Sequence, residues 1–358
     1  MAHDAQETQV APVASKVDEV KQPWAPCNWE LLCLRLLRWL PAAVGVGYYT
    51  GLLDLDAGAE AIRAALENSW LAQDPNAEAY VAVQGFSVAM IIYSTADALP
   101  CLERYRMESF RMDLMPLHLV IILALLNVAA HVLCWQGGQS SSSLLLNGLE
   151  FLLLLGLAAL LGTLQTLRKN PKMWNYVLRI FLVTQLYKGL IALHHVRKEP
   201  APVDWGPVTF GRIVAEVAFS VAAYDFLFWW VHIALHRLPN KLHNHHQHHS
   251  ACPGAGRLIA MDVVNHSFID GTLQVLTNIL VQNIPLFGLP RHKLSRFLHN
   301  IVVTYLLTES HAGYSGFWST HNLYPGIFGG AERHHKHHKY GHKYLQQFFC
   351  YLDNFSLI

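Results

Sequence analysis

Residues 115–135 are almost uncharged, and residues 144–167 contain a single acid, Glu150, so each run has about the 20 apolar positions that carry a helix across a bilayer. Weaker runs of the same kind lie at 31–53, 80–99, 174–193 and 208–235, each interrupted by charged or polar groups. A chain that is 53% hydrophobic and 14% charged agrees with this pattern. The expected fold class is therefore all-α: a multi-span integral membrane helical bundle.

Loop charge orients the bundle, because Lys and Arg accumulate on the cytosolic side. Residues 54–78 carry six acids against Arg63 alone and suit the lumenal side. Arg104, Arg106 and Arg111 then mark a cytosolic loop, 137–143 a lumenal one, and Arg168, Lys169 and Lys172 a cytosolic one, so the C-terminal histidines fall on the cytosolic face. Residues 1–23 read as a polar N-terminal tail without the basic start and apolar core of a signal peptide. Residues 24–200 read as an N-terminal transmembrane region and 201–358 as a catalytic domain, the change of character coming at Pro200, Pro202 and Pro207. A net charge of +1 leaves no basic stripe for nucleic acid. The six cysteines show neither zinc-knuckle spacing nor a secreted disulfide framework.

Histidine dominates the C-terminal half, with 19 of the 22 in the chain at or after His194. His232 and His236 are an i, i+4 pair that one helix face presents together. His245, His248 and His249 have i, i+3, i+4 spacing, and His334, His337 and His338 repeat it. A register of the second cluster starting at His243 is also open. One such pair arises by chance in many helices, but eight imidazoles exceed the four ligands of a closed zinc site. Two metal ions are the simpler account. His243, His246, His335 and His342 turn off the ligand faces.

The order Asp225, Trp229, Trp230, His232, His236, then HxxHH, then Asn265-His266, then Glu309-Ser310-His311-Ala312-Gly313-Tyr314, then a final HxxHH resembles the fatty acid hydroxylase and sterol desaturase superfamily. Within it, Trp318-Ser319-Thr320-His321 followed by Gly329-Gly330 is most similar to the cholesterol 25-hydroxylase group. The resemblance implies two non-haem iron ions at the cytosolic face of the endoplasmic reticulum membrane, electrons from cytochrome b5 or a similar donor, and hydroxylation or desaturation of a lipid, with a sterol favoured. It adds His311 and His266 to the ligand set, although spacing alone leaves both as lone histidines, for which an ordinary hydrogen-bonded buried ring is favoured. The sequence departs from the pattern at Arg333, at Ser267, and in a second cluster one residue nearer the first.

Ligand histidines usually hand their second ring N–H to a carboxylate or carbonyl. Asp225, Asp262, Glu309 and Glu332 stand near the clusters, and Asp225 and Glu309 are the acids assigned to catalysis. Trp229, Trp230, Tyr314 and Trp318 are candidates for lining a lipid site or for anchoring at the interface. Fatty acyl and sphingoid substrates remain alternatives to a sterol. A membrane protein that binds or transports metal is the competing class, and a catalytically dead scaffold is a third.

Overall fold

The computed structural model describes residues 25–67, 77–108, 205–239, 245, 248–249, 258–264, 266–341 and 343–355. The runs at 115–135, 144–167 and 174–193 lie outside the described residues, as does the polar N-terminal tail. Among the described residues the chain is helical, with isolated bridges and no strand.

Helix α1 (Asn28–Tyr49) starts in a capping arrangement in which Glu30 accepts the Cys27 N–H at 2.8 Å. After α2 (Leu55–Glu67) come α3 (Ala77–Ala98) and a 3-10 turn (Pro100–Tyr105). Helix α4 (Phe210–Arg237) is opened by the Thr209 hydroxyl, which accepts the Arg212 N–H. A 3-10 turn (Ala260–Val264) then leads to α5 (Phe268–Asn283), capped by Ser267, and to α6 (Lys293–His311), capped by the His292 ring. Short helix α7 (Thr320–Leu323) and the histidine-bearing α8 (Gly330–Tyr340) follow. Gly341, at φ 72°, ends α8 in the left-handed conformation that suits glycine. Helix α9 (Tyr351–Phe355) closes the described chain. Helices α1 and α4 are long and apolar enough to cross a membrane. They cover the expected runs at 31–53 and 208–235, and α3 covers most of the run at 80–99.

Helix α6 is central, packing on α3, α4 and α8. Met90, Val221, Tyr224, Phe228, Val303 and Leu306 form the shared core. Gly85 permits the close approach of α3, because a Cβ there would collide with the Thr304 hydroxyl on α6. Contacts at the helix ends fix direction. Glu78, starting α3, meets Lys293 and Arg296, starting α6, at 2.8 and 2.7 Å. Arg212 and Glu216 on α4 lie at that same end, where Glu216 accepts the His292 N–H. At the opposite end, Asp97 of α3 accepts from Tyr314 beyond α6, and His236 of α4 meets His337 of α8. Helices α3, α4 and α6 are therefore parallel, α5 returns antiparallel to α6, and every histidine cluster gathers at one end.

Candidate metal centre

Nine imidazoles converge at that end in two groups. His232, His236, His245, His249 and His337 form one, and His248, His311, His334 and His338 form the other; within each group the ligand nitrogens lie within 4.8 Å of one another. Helical spacing explains the pairs on α4 and α8. The second cluster is placed by one tight turn, in which the His245 carbonyl accepts the N–H groups of His248 and His249 at 2.9 and 3.4 Å. The register that begins at His245 thus brings its three rings into the site, whereas His243 lies outside the described residues.

The outer ring nitrogens decide the chemistry of the inner ones. His232 Nδ1 lies 2.8 Å from the Leu345 carbonyl, His337 Nδ1 2.8 Å from that of Lys343, and His311 Nδ1 2.7 Å from that of Leu307. His245 Nδ1 lies 2.8 Å from Asp270 Oδ2. Carbonyls and carboxylates only accept, so each Nδ1 carries the proton, and in the neutral ring Nε2 presents a bare lone pair. His232 and His337 then face each other, Nε2 to Nε2, at 3.1 Å, with His236 Nε2 3.3 Å from both. In the second group, His334 Nε2 is 2.9 Å from that of His311 and 3.1 Å from that of His338. His248 Nε2 approaches that of His311 at 3.2 Å.

Lone pairs this close repel unless a cation lies among them. Nitrogens about 2.0–2.1 Å from a shared ion stand roughly 3.0–3.4 Å apart. The residues present therefore fit two metal ions. Burial, reinforced by the neighbouring imidazoles, holds His248, His334, His337 and His338 well below the usual histidine range, in the neutral form that ligates.

The other expected residues are placed differently. His266 is buried, with its ring 6.3 Å from that of His248, but it stands outside both groups. Asp225 accepts Gln346 Nε2 at 2.5 Å and the backbone N–H groups of Phe348 and Phe349 at 2.7 and 3.3 Å. It acts through the strap 343–349, which carries the carbonyls that orient His232 and His337. Glu309 accepts both the N–H and the hydroxyl of Thr320, at 2.8 and 2.7 Å, and so ties the last turn of α6 to the start of α7. Asp262 accepts the Ile259 N–H, and Glu332 pairs with Lys336. His335 lies against Glu108 at 3.0 Å, turned from the site. Trp229 reaches Asp353, Tyr314 reaches Asp97, Trp318 packs edge-on against Tyr105, and Trp230 is exposed. Asp270 is the carboxylate that sequence reasoning missed. Its only local signal is an acid four residues beyond a lone histidine.

No family model matches the chain, and no solved structure matches it. It is similar to a cholesterol 25-hydroxylase-like protein of Danio rerio, 25% identical over 182 residues, which are 51% of this chain and 66% of that one. It is also similar to the very-long-chain aldehyde decarbonylase GL1-8 of Oryza sativa subsp. indica and of subsp. japonica, each 28% identical over 127 residues, 36% of this chain and 44% of theirs. The chain thus spans less than two thirds of the curated relatives it matches. These likenesses point to the fatty acid hydroxylase and sterol desaturase superfamily and not to a specific member.

Proposed function

We propose that this chain is a membrane di-iron enzyme that hydroxylates or desaturates a lipid, with a sterol as the favoured substrate. It takes O2 and electrons from cytochrome b5 or a similar donor, and its histidines face the cytosol from the endoplasmic reticulum membrane. The observation that carries this reading is the pair of imidazole groups whose ring nitrogens converge, with the Nδ1 protons of His232, His245, His311 and His337 held by protein acceptors. The five-histidine group exceeds the four ligands of a closed tetrahedral zinc site, and imidazole nitrogen suits iron. Bound iron would supply the activation of O2 needed to remove hydrogen from an unactivated C–H bond.

The chain's own residues do the rest. His232, His236, His245, His249 and His337 would hold one ion, and His248, His311, His334 and His338 the other, with His266 in reserve beside His248. Asp270 makes His245 a more basic ligand, and Leu345, Lys343 and Leu307 fix three more rings. Asp225 and Glu309 position the strap and the segment after α6. All four rings of the second group are buried, whereas His236 and His249 leave the first group partly accessible. The sterol preference draws on the likeness to the cholesterol 25-hydroxylase-like protein of Danio rerio and on the Trp318-to-His321 motif.

Lipid extracts from cells expressing the native chain and a His248→Ala variant, compared by mass spectrometry with iron counted per purified chain, test the reading. A lipid that gains one oxygen or loses two hydrogens only with the native chain, and about two irons per chain, are the expected results. Zinc alone or no metal, with no lipid changed although both proteins reach the membrane and a donor is supplied, overturns it in favour of metal handling or scaffolding. The rice relatives favour one second reading, in which the changed lipid has lost the carbonyl carbon of a long-chain aldehyde.

A further inference from the structure

Helix α8 has two unlike sides. The inner side carries His334, His337 and His338, and among the described helices α8 alone supplies both histidine groups, His337 to the first and the other two to the second. The outer side, continued into the turn that follows, carries Arg333, Lys336, Lys339 and Lys343, the last two exposed and the first two half-buried. Glu332 is the only acid of α8, and it pairs with Lys336 at 2.6 Å. Asp353 of α9 is taken by the Gln346 N–H at 3.1 Å and faces the Trp229 ring nitrogen. A net positive strip therefore lies directly behind the ligands. The helix dipole accounts for Lys339 in the last turn, but near the first turn, where Arg333 stands, it favours anions.

The cations of the strip are ordered. Arg333 lies over the Tyr344 ring at 5.4 Å and donates to Asn354 Oδ1 at 3.2 Å, and Lys343 lies over the Tyr340 ring at 5.8 Å. Elsewhere at the histidine end cations are matched by carboxylates, Arg104 by Glu30 and Arg106 by Asp97. Fixed positive charge set among tyrosines suits a protein surface of negative charge, since Tyr and Arg anchor protein interfaces and complementary charge steers their encounter. A helix with its side chains is about 10–12 Å across, so a redox centre held against the outer side would stand about one helix width from ligands of both groups. Such closeness has no use for a lipid headgroup and is what an electron carrier requires.

We propose that the outer side of α8 is the docking surface for the electron donor, a one-electron carrier whose redox centre is rimmed by carboxylates. This rests on the reading of the chain as an oxygenase supplied with electrons from outside. The iron count and the lipid comparison decide that reading by themselves, so the docking surface can fail while it stands. The full iron-loaded chain in phosphatidylcholine nanodiscs, titrated with the soluble haem domain of cytochrome b5 at low and at physiological salt, tests it. Lys336→Glu combined with Lys339→Glu is expected to weaken binding at low salt at least about tenfold and to flatten its salt dependence, with iron per chain kept. If the reversed charges unsettle α8 and iron is lost, Lys336→Gln with Lys339→Gln gives the same reading at smaller amplitude. Glu332→Gln, which removes the one acid of the helix, is expected to tighten binding, a gain that damage to the fold would not produce. Absence of binding by the native chain, unchanged affinity in the lysine variants, or no gain in Glu332→Gln overturns the proposal. So does a difference between native and lysine-variant chains that appears only in nanodiscs containing phosphatidylserine, which would assign the strip to lipid headgroups.

Discussion

Asp270 and His245 meet at 2.8 Å, carboxylate Oδ2 to ring Nδ1, although 25 residues separate them in the chain. Both side chains are buried, and Gln274 holds the other carboxylate oxygen at 3.4 Å. The contact fixes the tautomer that turns the His245 Nε2 lone pair into the five-membered group. Replacing Asp270 with Ala frees that ring and removes the charge that makes it a stronger ligand. Iron affinity is expected to fall about 10–100-fold, read as iron retained per chain against a graded chelator, while the helical content of the protein is kept. Unchanged retention would mean that His245 is not a ligand.

Asp225 governs the same group from a greater distance. Its carboxylate gathers three donors from the strap 343–349, two of them backbone N–H groups. Asp225→Ala orphans them, at about 1–3 kcal/mol for each buried donor. We expect a loss of about 3 kcal/mol or more in unfolding free energy, accompanied by weaker metal retention, because the strap also carries the Leu345 and Lys343 carbonyls. Chemical denaturation and metal analysis on one preparation read both effects. A loss of stability with metal retention intact would restrict Asp225 to holding the fold.

What was legible from sequence follows the reach of local periodicity. The i, i+3 and i+4 spacings put His232 with His236 and His334 with His337 and His338 on common faces, and α4 and α8 deliver them so. Asp225 was legible as an acid too costly for an apolar helix unless paired, but its partners lie 121 to 124 residues away and two of them are backbone groups without a side-chain signature. Asp270 reads locally as an ordinary first-turn acid of a helix capped by Ser267. Leu345 and Lys343 carry no sign that their carbonyls orient ligands. Lys293, Arg296, His299 and Glu309 interrupt the hydropathy of α6, and folding pairs or hydrogen-bonds each of them with groups elsewhere in the protein. The two strongest apolar runs lie outside the described residues.

Acid should dismantle the metal-free protein through its histidines. His248, His334, His337 and His338 are held well below their ordinary value of 6.5, first by burial and then by neighbouring rings. Below about pH 6.5 the unfolded chain therefore binds protons that the folded chain refuses, and stability rises with pH across that window. The contribution of these four rings is complete above about 6.5 and is lost as pH falls toward their folded values. Thermal unfolding of the metal-free protein between about pH 8 and pH 5 is expected to show a steadily falling midpoint below 6.5. Saturating metal should move the onset of that fall to lower pH, since ligation competes with protonation for Nε2. A flat profile would mean that the rings are hydrated and charged without penalty.

Gly313 follows the His311 ligand by two residues and stands at φ 71°. A Cβ there would lie 2.7 Å from the Leu258 carbonyl oxygen, a backbone atom that cannot swing aside. The Gly313 carbonyl meanwhile accepts the Met107 N–H at 3.0 Å, and Ser315 donates to the Tyr105 carbonyl at 2.7 Å, so the turn is pinned to the segment after α3. Gly313→Ala thus meets two separate costs. The left-handed conformation alone accounts for about 1–2 kcal/mol, and the collision adds to it or forces the turn to move. Because His311 ends α6 immediately before this turn, movement there shifts a nitrogen that sits 2.9 Å from His334 and 3.2 Å from His248. The expected outcome is a lower unfolding temperature together with weakened binding of the ion in the four-histidine group, so that titration with iron shows one of two sites lost first. Equal weakening of both sites would instead trace the effect to global destabilisation, since the five-histidine group takes no ligand from α6.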